Sequence, residues 1–128
     1  INTVARTMRY AGAKSSFSLS NNGKLTEFKT DKKSIGQDLK EENFSFQTNK
    51  LSYNVGDQLY LYTDGFADQF SEADKKRIGS KRFKNKLEQI SKLPPDTQKR
   101  EMESFLDSHK GSALQTDDIT LLAIKLIW

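Results

Sequence analysis

The sequence lacks cysteine altogether, and it has no apolar run long enough to cross a membrane. Without cysteine there is no disulfide framework and no thiolate chemistry. The longest apolar run, residues 121–124, has the length of a strand, whereas a membrane span needs roughly 18 residues. No signal peptide opens the chain, so we expect a cytoplasmic location without membrane contact by this segment.

Motifs of several common enzyme classes are also missing. The glycines are scattered and form no phosphate-cradling loop. The serines at positions 15, 16 and 18 have no base nearby in the pattern, so we do not expect a serine nucleophile. The one histidine, His109, lies near a predicted helix end, where a cation interacts favourably with the helix dipole. We therefore interpret it as a structural or surface residue.

The 128 residues are enough for one domain with a modest core, and the net charge of +4 is concentrated in one segment. The cations of this basic segment are Lys75, Lys76, Arg77, Lys81, Arg82, Lys84 and Lys86. Such a run can bind nucleic acid, or it can be the solvated face of a helix. Aromatic residues are not interleaved with it as a base-stacking platform requires, so we expect no nucleic-acid partner.

Alternating apolar residues predict a series of short strands in the first half of the chain. These strands cover residues 4–13, 17–19, 25–28, 44–48 and 58–63. Between the second and third, Asn22-Gly23 predicts a type I′ hairpin turn, because both residues tolerate a positive φ. Residues 30–43 are polar and charged, which is typical of a loop.

After residue 70 the apolar period becomes helical. Ser80 is the predicted N-cap of a helix that stops at Pro94-Pro95. The apolar face of this helix consists of Phe83, Leu87 and Ile90. A second helix is predicted over residues 96–109, with Gly111 marking its end.

A last strand is predicted over residues 118–127, with apolar side chains on both faces. This pattern favours a central, buried strand, and its natural neighbour is the strand at residues 58–63. Strands followed by helices and a final strand indicate an α+β fold rather than alternating βαβ units.

Acidic residues stand at the ends of these two apolar strands. Asp64 follows one strand, and Asp117 and Asp118 precede the other. If the strands are antiparallel neighbours, about 4.8 Å apart, the three carboxylates gather at one edge of the sheet. Close carboxylates repel each other, and a divalent cation relieves the repulsion. A cluster of oxygen ligands without Cys or His suits Mg²⁺ or Mn²⁺.

Two residues beside Asp64 extend this hypothesis. Asp68 falls on the same side as Asp64 if the chain makes one helical turn, so it could bind a further ion or anchor a metal-bound water. Gly65 is expected to let the backbone turn sharply past Asp64. The alternative stays open that Asp64-Gly65 is an ordinary turn and that the aspartates only cap strand or helix ends.

Four short pieces of the sequence, taken in order, match a known family. They are Tyr10-Ala11-Gly12-Ala13, Ser34-Ile35-Gly36, Val55-Gly56-Asp57 running on to Thr63-Asp64-Gly65, and Thr116-Asp117-Asp118-Ile119-Thr120. With these pieces the chain resembles the C-terminal half of a SpoIIE-type, metal-dependent serine/threonine protein phosphatase domain of the PPM (type 2C) fold. Residues 1–128 are accordingly expected to be the C-terminal part of such a domain.

The resemblance implies an α-β-β-α sandwich of antiparallel sheets, here partial, with a two-metal Mn²⁺ or Mg²⁺ site at one edge. It implies that Asp64 and Asp117 are the catalytic metal ligands, that Asp118 supports them, and that Asp68 is linked to a further, weaker metal. The implied reaction is hydrolysis of phosphoserine or phosphothreonine by a metal-bound hydroxide. The implied substrates are phosphorylated bacterial signalling proteins, for example anti-sigma-factor antagonists.

One motif of the family has no counterpart here. Nothing in residues 1–128 matches its Asp-x-x-Gly-His-Gly-like turn, which supplies the aspartate that bridges both metals. Because the chain begins at Ile1 in strand-like sequence, we expect this motif, and sensor or regulatory domains, upstream in the parent protein. The chain alone is expected to bind metal weakly and to be inactive. The alternative is a non-catalytic interaction or dimerisation module, with an exposed sheet edge that allows a homodimer.

Overall fold

The computed structural model describes residues 1–36 and 44–128, which form two antiparallel sheets and three helices. The strands are β1 (Thr7–Tyr10), β2 (Phe17–Asn21), β3 (Lys24–Phe28), β4 (Asn49–Ser52), β5 (Gln58–Tyr62) and β6 (Leu121–Lys125). The helices are α1 (Gly65–Asp68), α2 (Ser80–Ile90) and α3 (Pro95–Lys110). The antiparallel pairings confirm the predicted α+β class. None of these three helices has the length and hydropathy that a membrane crossing requires.

The four-stranded sheet, in the order β3-β2-β5-β6, is the middle layer of the fold. Alternate residues of β5 enter the two cores, since Tyr60 faces the helices and Leu59 faces the two-stranded sheet β1-β4. The helix-side core consists of Tyr60, Phe66, Ala67, Ile78, Phe83, Leu87, Ile90 and Met102. The core between the sheets consists of Met8, Phe17, Leu19, Tyr53, Leu59 and Leu126.

The predicted hairpin joins β2 to β3. Asn21 pairs with Lys24, so the loop has two residues, Asn22 and Gly23. Their φ angles are 49° and 87°, as a type I′ turn requires. The prediction of this turn is confirmed, and it fixes the register of the outer half of the sheet.

The predicted strand at residues 44–48 is wrong, because strand β4 begins only at Asn49. Its partner β1 ends at Tyr10, and the Gly12 carbonyl then accepts from the Asp31 N–H. Residues 44–48 therefore have no part of β1 to pair with. The strand predicted over residues 4–13 is shortened for the same reason and by Arg6, which has a φ of 47°. Part of the predicted loop at 30–43, residues 37–43, lies outside the described residues.

The prediction that the last strand is central and buried is also wrong. β6 is the outer strand of its sheet and pairs only with β5 among the described strands. One face touches the helix-side core through Leu121, whereas Leu122 on the other face is 50% exposed. Apolar residues on both faces therefore do not show that a strand has two neighbours. The predicted pairing with β5 is confirmed.

The helices follow the sequence pattern with small shifts at their ends. Gly79, with a φ of 78°, occupies the N-cap of α2, so the assignment of that role to Ser80 is wrong by one residue. The predicted apolar face of α2 is buried. Pro95 begins α3, because proline fits the first helical position, where no N–H bond is lost.

Candidate active site at the ends of two strands

The ends of β5 and β6 are held together by one threonine. Beyond the last strand pair, the Thr63 N–H donates to the Thr120 carbonyl at 3.1 Å. The Thr63 hydroxyl donates to the Asp118 carbonyl at 2.7 Å and accepts from the Thr120 N–H at 3.0 Å. The predicted antiparallel neighbours thus bring the residues of both acidic strand ends to one edge of the sheet.

Gly65 lets these two chain segments approach closely. A Cβ on this residue would lie 2.9 Å from the carbonyl carbon of Asp118, closer still to its oxygen, and 3.3 Å from Cγ1 of Ile119. Gly65 is not among the residues with positive φ, and it begins the single turn α1. The expected reason for this glycine, a sharp turn, is therefore wrong, and close backbone contact is the reason that the structure gives.

The carboxylate of Asp64 is exposed and does not cap the helix that follows it. Asp64 occupies the N-cap of α1, yet its side chain makes no capping hydrogen bond. It also forms no ion pair with any residue in the ranges 1–36 and 44–128. The ordinary role of an aspartate before a helix is thus not filled, and both oxygens are available to a ligand.

The other two strand-end acids are exposed as well. The Asp118 N–H donates to Oδ1 of Asp117 at 2.7 Å, and Gln115 donates to the Asp117 carbonyl at 2.9 Å. These bonds fix the loop that enters β6. They leave the Asp118 carboxylate without an ion pair among the described residues.

Asp68 lies one helical turn after Asp64, as the sequence predicted. The Asp68 N–H donates to the Asp64 carbonyl at 2.9 Å. Its carboxylate, however, pairs with the Arg77 guanidinium at 3.1 Å, and that guanidinium also lies 5.1 Å from the centre of the Phe70 ring. In this structure Oδ1 of Asp68 is therefore occupied by Arg77, a cation of the basic segment, and is not free for a metal ion.

The described residues do not form a metal site by themselves. Across residues 1–36 and 44–128, no three His, Asp or Glu side chains are placed so that they could hold an ion together. Carboxylate oxygens are suitable donors for Mn²⁺ or Mg²⁺, but Asp64 and Asp117 need further ligands. The ligand roles given to Asp64, Asp68, Asp117 and Asp118 therefore stay predictions.

A cavity of about 310 Å³ opens beside Asp64. It is lined by Lys14, Ser15, Ser16, Glu27, Tyr62, Thr63, Asp64, Ala67, Asp68, Ser80, Phe83 and Lys84. A loop, strands and helices thus contribute to this cavity, and two of the predicted site residues, Asp64 and Asp68, lie in its lining.

One ion pair lies in the lining of this cavity, and the lining residue Tyr62 bonds to a buried serine outside the lining. Lys84 Nζ lies 2.8 Å from Oε1 of Glu27, and this bond to Lys84 lowers the pKa of Glu27. Tyr62 and Ser18 share a hydrogen bond of 2.9 Å between their hydroxyls, and burial raises the pKa of Tyr62. Sequence reasoning missed Glu27 and Lys84, since only the fold brings β3 and α2 together.

Some residues of the quoted motifs have structural tasks. The buried Asp57 accepts from the Asn21 side chain at 2.9 Å and from the Asn54 N–H at 2.8 Å. Its backbone bonds to Leu126, so it ties the ends of β2 and β6 to the turn before β5. His109 Nε2 lies 3.0 Å from the Lys76 carbonyl, which agrees with a structural role.

The basic segment is largely engaged with the rest of the protein. Arg77, Lys84 and Lys86 pair with Asp68, Glu27 and Glu101, respectively. The Arg82 guanidinium lies 5.7 Å from the centre of the Phe105 ring. These contacts favour the interpretation of the basic segment as a helix face beside a loop, with Arg77 in the loop and the other three cations on α2.

Comparison with known proteins places these features in a family. The family described as Stage II sporulation protein E (SpoIIE) matches residues 1–127. The SiaA-PP2C domain of Pseudomonas aeruginosa is 29% identical with a TM-score of 0.81, over 94% of this chain and 46% of that chain. The phosphatase domain of the cell fate determinant SpoIIE from Bacillus subtilis is 12% identical with a TM-score of 0.68, over 100% and 56%.

A further structure of the Bacillus subtilis domain, presoaked with Mn, is 14% identical with a TM-score of 0.58, over 94% of this chain and 50% of that chain. No curated protein sequence matches the chain. The chain spans about half the length of these solved structures. The likeness confirms the predicted partial phosphatase fold.

Proposed function

This chain belongs to the SpoIIE family, and on that premise we propose that it is the C-terminal part of a phosphatase domain that hydrolyses phosphoserine or phosphothreonine in a signalling protein. An anti-sigma-factor antagonist is the kind of substrate that we expect, in the cytoplasm. The observation that supports the proposal best is the Asp64 carboxylate. It stands at the shared end of β5 and β6 without the capping bond that its position offers.

In this proposal Asp64 and Asp117 provide two carboxylates for Mn²⁺ or Mg²⁺, and the other ligands come from outside the described residues 1–36 and 44–128. The metal would supply charge neutralisation for the phosphoryl oxygens. The chain's own part is to fix these carboxylates. Thr63 holds the two strand ends together, and Gly65 allows the Asp118 backbone to lie against the first turn of α1.

The test is hydrolysis of p-nitrophenyl phosphate with and without Mn²⁺, by this chain and by a version extended with its upstream coding sequence. We expect turnover only in the extended version and only with metal. Asp64→Asn should reduce kcat at least about a hundredfold, because a ligand that stabilises transition-state charge is worth several kcal/mol. Asp107→Asn is the matched control, since Asp107 lies exposed on α3 and should leave kcat within about twofold.

A different outcome would favour the second candidate, an interaction or dimerisation module. The outer strand β6 and the exposed Leu61 and Leu122 are the features that support this candidate. If both versions are folded but inactive with Mn²⁺, the phosphatase proposal fails and the module becomes the better explanation.

A further inference from the structure

The cavity beside Asp64 contains one cation that no described residue neutralises. Of the five charged side chains in its lining, Glu27 and Lys84 pair with each other, and Asp68 pairs with Arg77. The remaining two are Lys14 and Asp64. Neither forms an ion pair with a residue in the ranges 1–36 and 44–128.

The backbone of Lys14 is held in a conformation that lysine rarely adopts. Its φ is 52°, in the left-handed region that favours glycine and asparagine. The Lys14 N–H donates to the Asp31 carbonyl at 2.6 Å, and the Ser15 N–H donates to the Thr30 hydroxyl at 3.2 Å. Because backbone preference alone disfavours lysine here, a use for its side chain is the natural hypothesis.

The loop around Lys14 is further fixed by Gly12. A Cβ on Gly12 would lie 2.7 Å from Cγ2 of Thr30, so this glycine permits close packing against the segment that bonds Lys14. Gly12, one of the motif residues before Lys14, therefore helps to place this lysine.

The pairing of β2 with β5 brings the segment that contains Lys14 to the end of β5. The last pair of β2 and β5 is Phe17 with Leu61, and Lys14 and Asp64 each lie three residues beyond it. On the other side of β5, Asp118 lies three residues before Leu121, the last partner of Tyr62. The segments that follow these last pairs bring the Lys14 cation and the Asp64 carboxylate into the lining of the same cavity.

We propose that Lys14 binds the phosphoryl oxygens of the substrate at the mouth of this cavity, and this inference rests on the proposed phosphatase function. An ammonium group has three donors and no acceptor, which suits a phosphate monoester. A cation opposite Asp64 would orient the phosphoryl group between the loop and the strand end. The hydroxyls of Ser15 and Ser80 in the same lining can donate to this group.

The first experiment uses the extended, Mn²⁺-dependent version and inorganic phosphate as a competitive inhibitor of p-nitrophenyl phosphate hydrolysis. Lys14→Gln should raise the inhibition constant of phosphate and the KM about tenfold, the value of one charge-assisted contact. Lys14→Arg should retain most of the affinity. Lys50→Gln, on the exposed side of β4, is the matched control and should change neither constant. Unchanged inhibition in Lys14→Gln overturns the inference.

The second experiment separates this inference from the proposed function. Inorganic phosphate is titrated into the 128-residue chain and its Lys14→Gln variant, and amide shifts of residues 14–16, 64 and 80 are followed by NMR. Shifts that saturate only when Lys14 is present support the phosphate site even if no version has activity. One outcome is that Asp64→Asn abolishes turnover of the extended version while the 128-residue chain and its Lys14→Gln variant show the same amide shifts with phosphate. In that case the proposed function stands and the role of Lys14 is refuted.

Discussion

Replacing Gly65 with alanine perturbs the contact that joins the two acidic strand ends. The new Cβ would lie within 3 Å of the Asp118 carbonyl, which is backbone and cannot rotate away as a flexible side chain does. Either the segment before β6 moves outward or α1 shifts from the end of β5. Both movements strain the two hydrogen bonds of the Thr63 hydroxyl, to Asp118 and from Thr120.

The expected loss of stability follows from three contributions. Overpacking of a buried position costs about 1–3 kcal/mol. Two weakened hydrogen bonds cost about 0.5–1.5 kcal/mol each, and the better helix propensity of alanine returns at most about 1 kcal/mol. We therefore expect Gly65→Ala to lower the free energy of unfolding by about 3 kcal/mol. Glycine-to-alanine changes inside ordinary helices have the opposite sign.

Urea denaturation followed by far-UV circular dichroism measures this change. With a slope of about 1.5–2 kcal/mol per molar urea, the midpoint should fall by about 1.5–2 M at unchanged slope. Thr63→Val removes the same hydroxyl bonds without a clash, so the double variant should be less destabilised than the sum of the single variants. A Gly65→Ala midpoint equal to wild type, or full additivity with Thr63→Val, would refute the close-contact explanation.

Two further predictions concern polar contacts away from the strand ends. Gln98→Leu should lower the free energy of unfolding, measured by urea denaturation, by about 3 kcal/mol, because it leaves the buried Gln58 amide and Tyr60 hydroxyl without their 2.9 Å partners. Tyr60→Phe should lower it by only about 1 kcal/mol. Equal losses in the two variants would contradict the hydrogen-bond network. The lowered pKa of Glu27 contributes stability that is present above its ordinary value of 4.5 and is lost as the pH falls through the folded-state value. Glu27→Gln should therefore be less stable than wild type at pH 7, by up to about 1 kcal/mol for this partly exposed pair, and nearly equal at pH 3; a difference that persists at pH 3 would point to packing rather than to the charge of Lys84.

Local sequence signals predicted the elements whose structure is decided locally. The Asn22-Gly23 turn depends on the φ preferences of two residues, and the face of α2 depends on helical spacing. These features need no information from distant parts of the chain. The errors occurred where the partner of a segment decides its structure, as at residues 44–48, where the neighbouring chain turns to Asp31 after Gly12.

The strand β6 shows the same limit for burial. Its apolar residues on both faces are real, but a side chain is buried only if something covers it. Within the described residues, the helices cover the Leu121 side, while Leu61 and Leu122 on the other side of the sheet stay exposed. The pattern thus predicted the pairing with β5 correctly and the position of the strand in the sheet wrongly.

The candidate site also contains residues that local sequence signals identify and one residue whose position depends on a distant strand. Asp64 and Asp118 could be proposed from sequence because each lies close to the end of an apolar strand, and the pairing of those strands was predictable. Lys14 could not, since its place beside Asp64 depends on the register of β2 with β5 and on a left-handed residue outside both strands. A sequence pattern can therefore identify the acids that end a strand, whereas the cation opposite them emerges only when the register of the neighbouring strand is known.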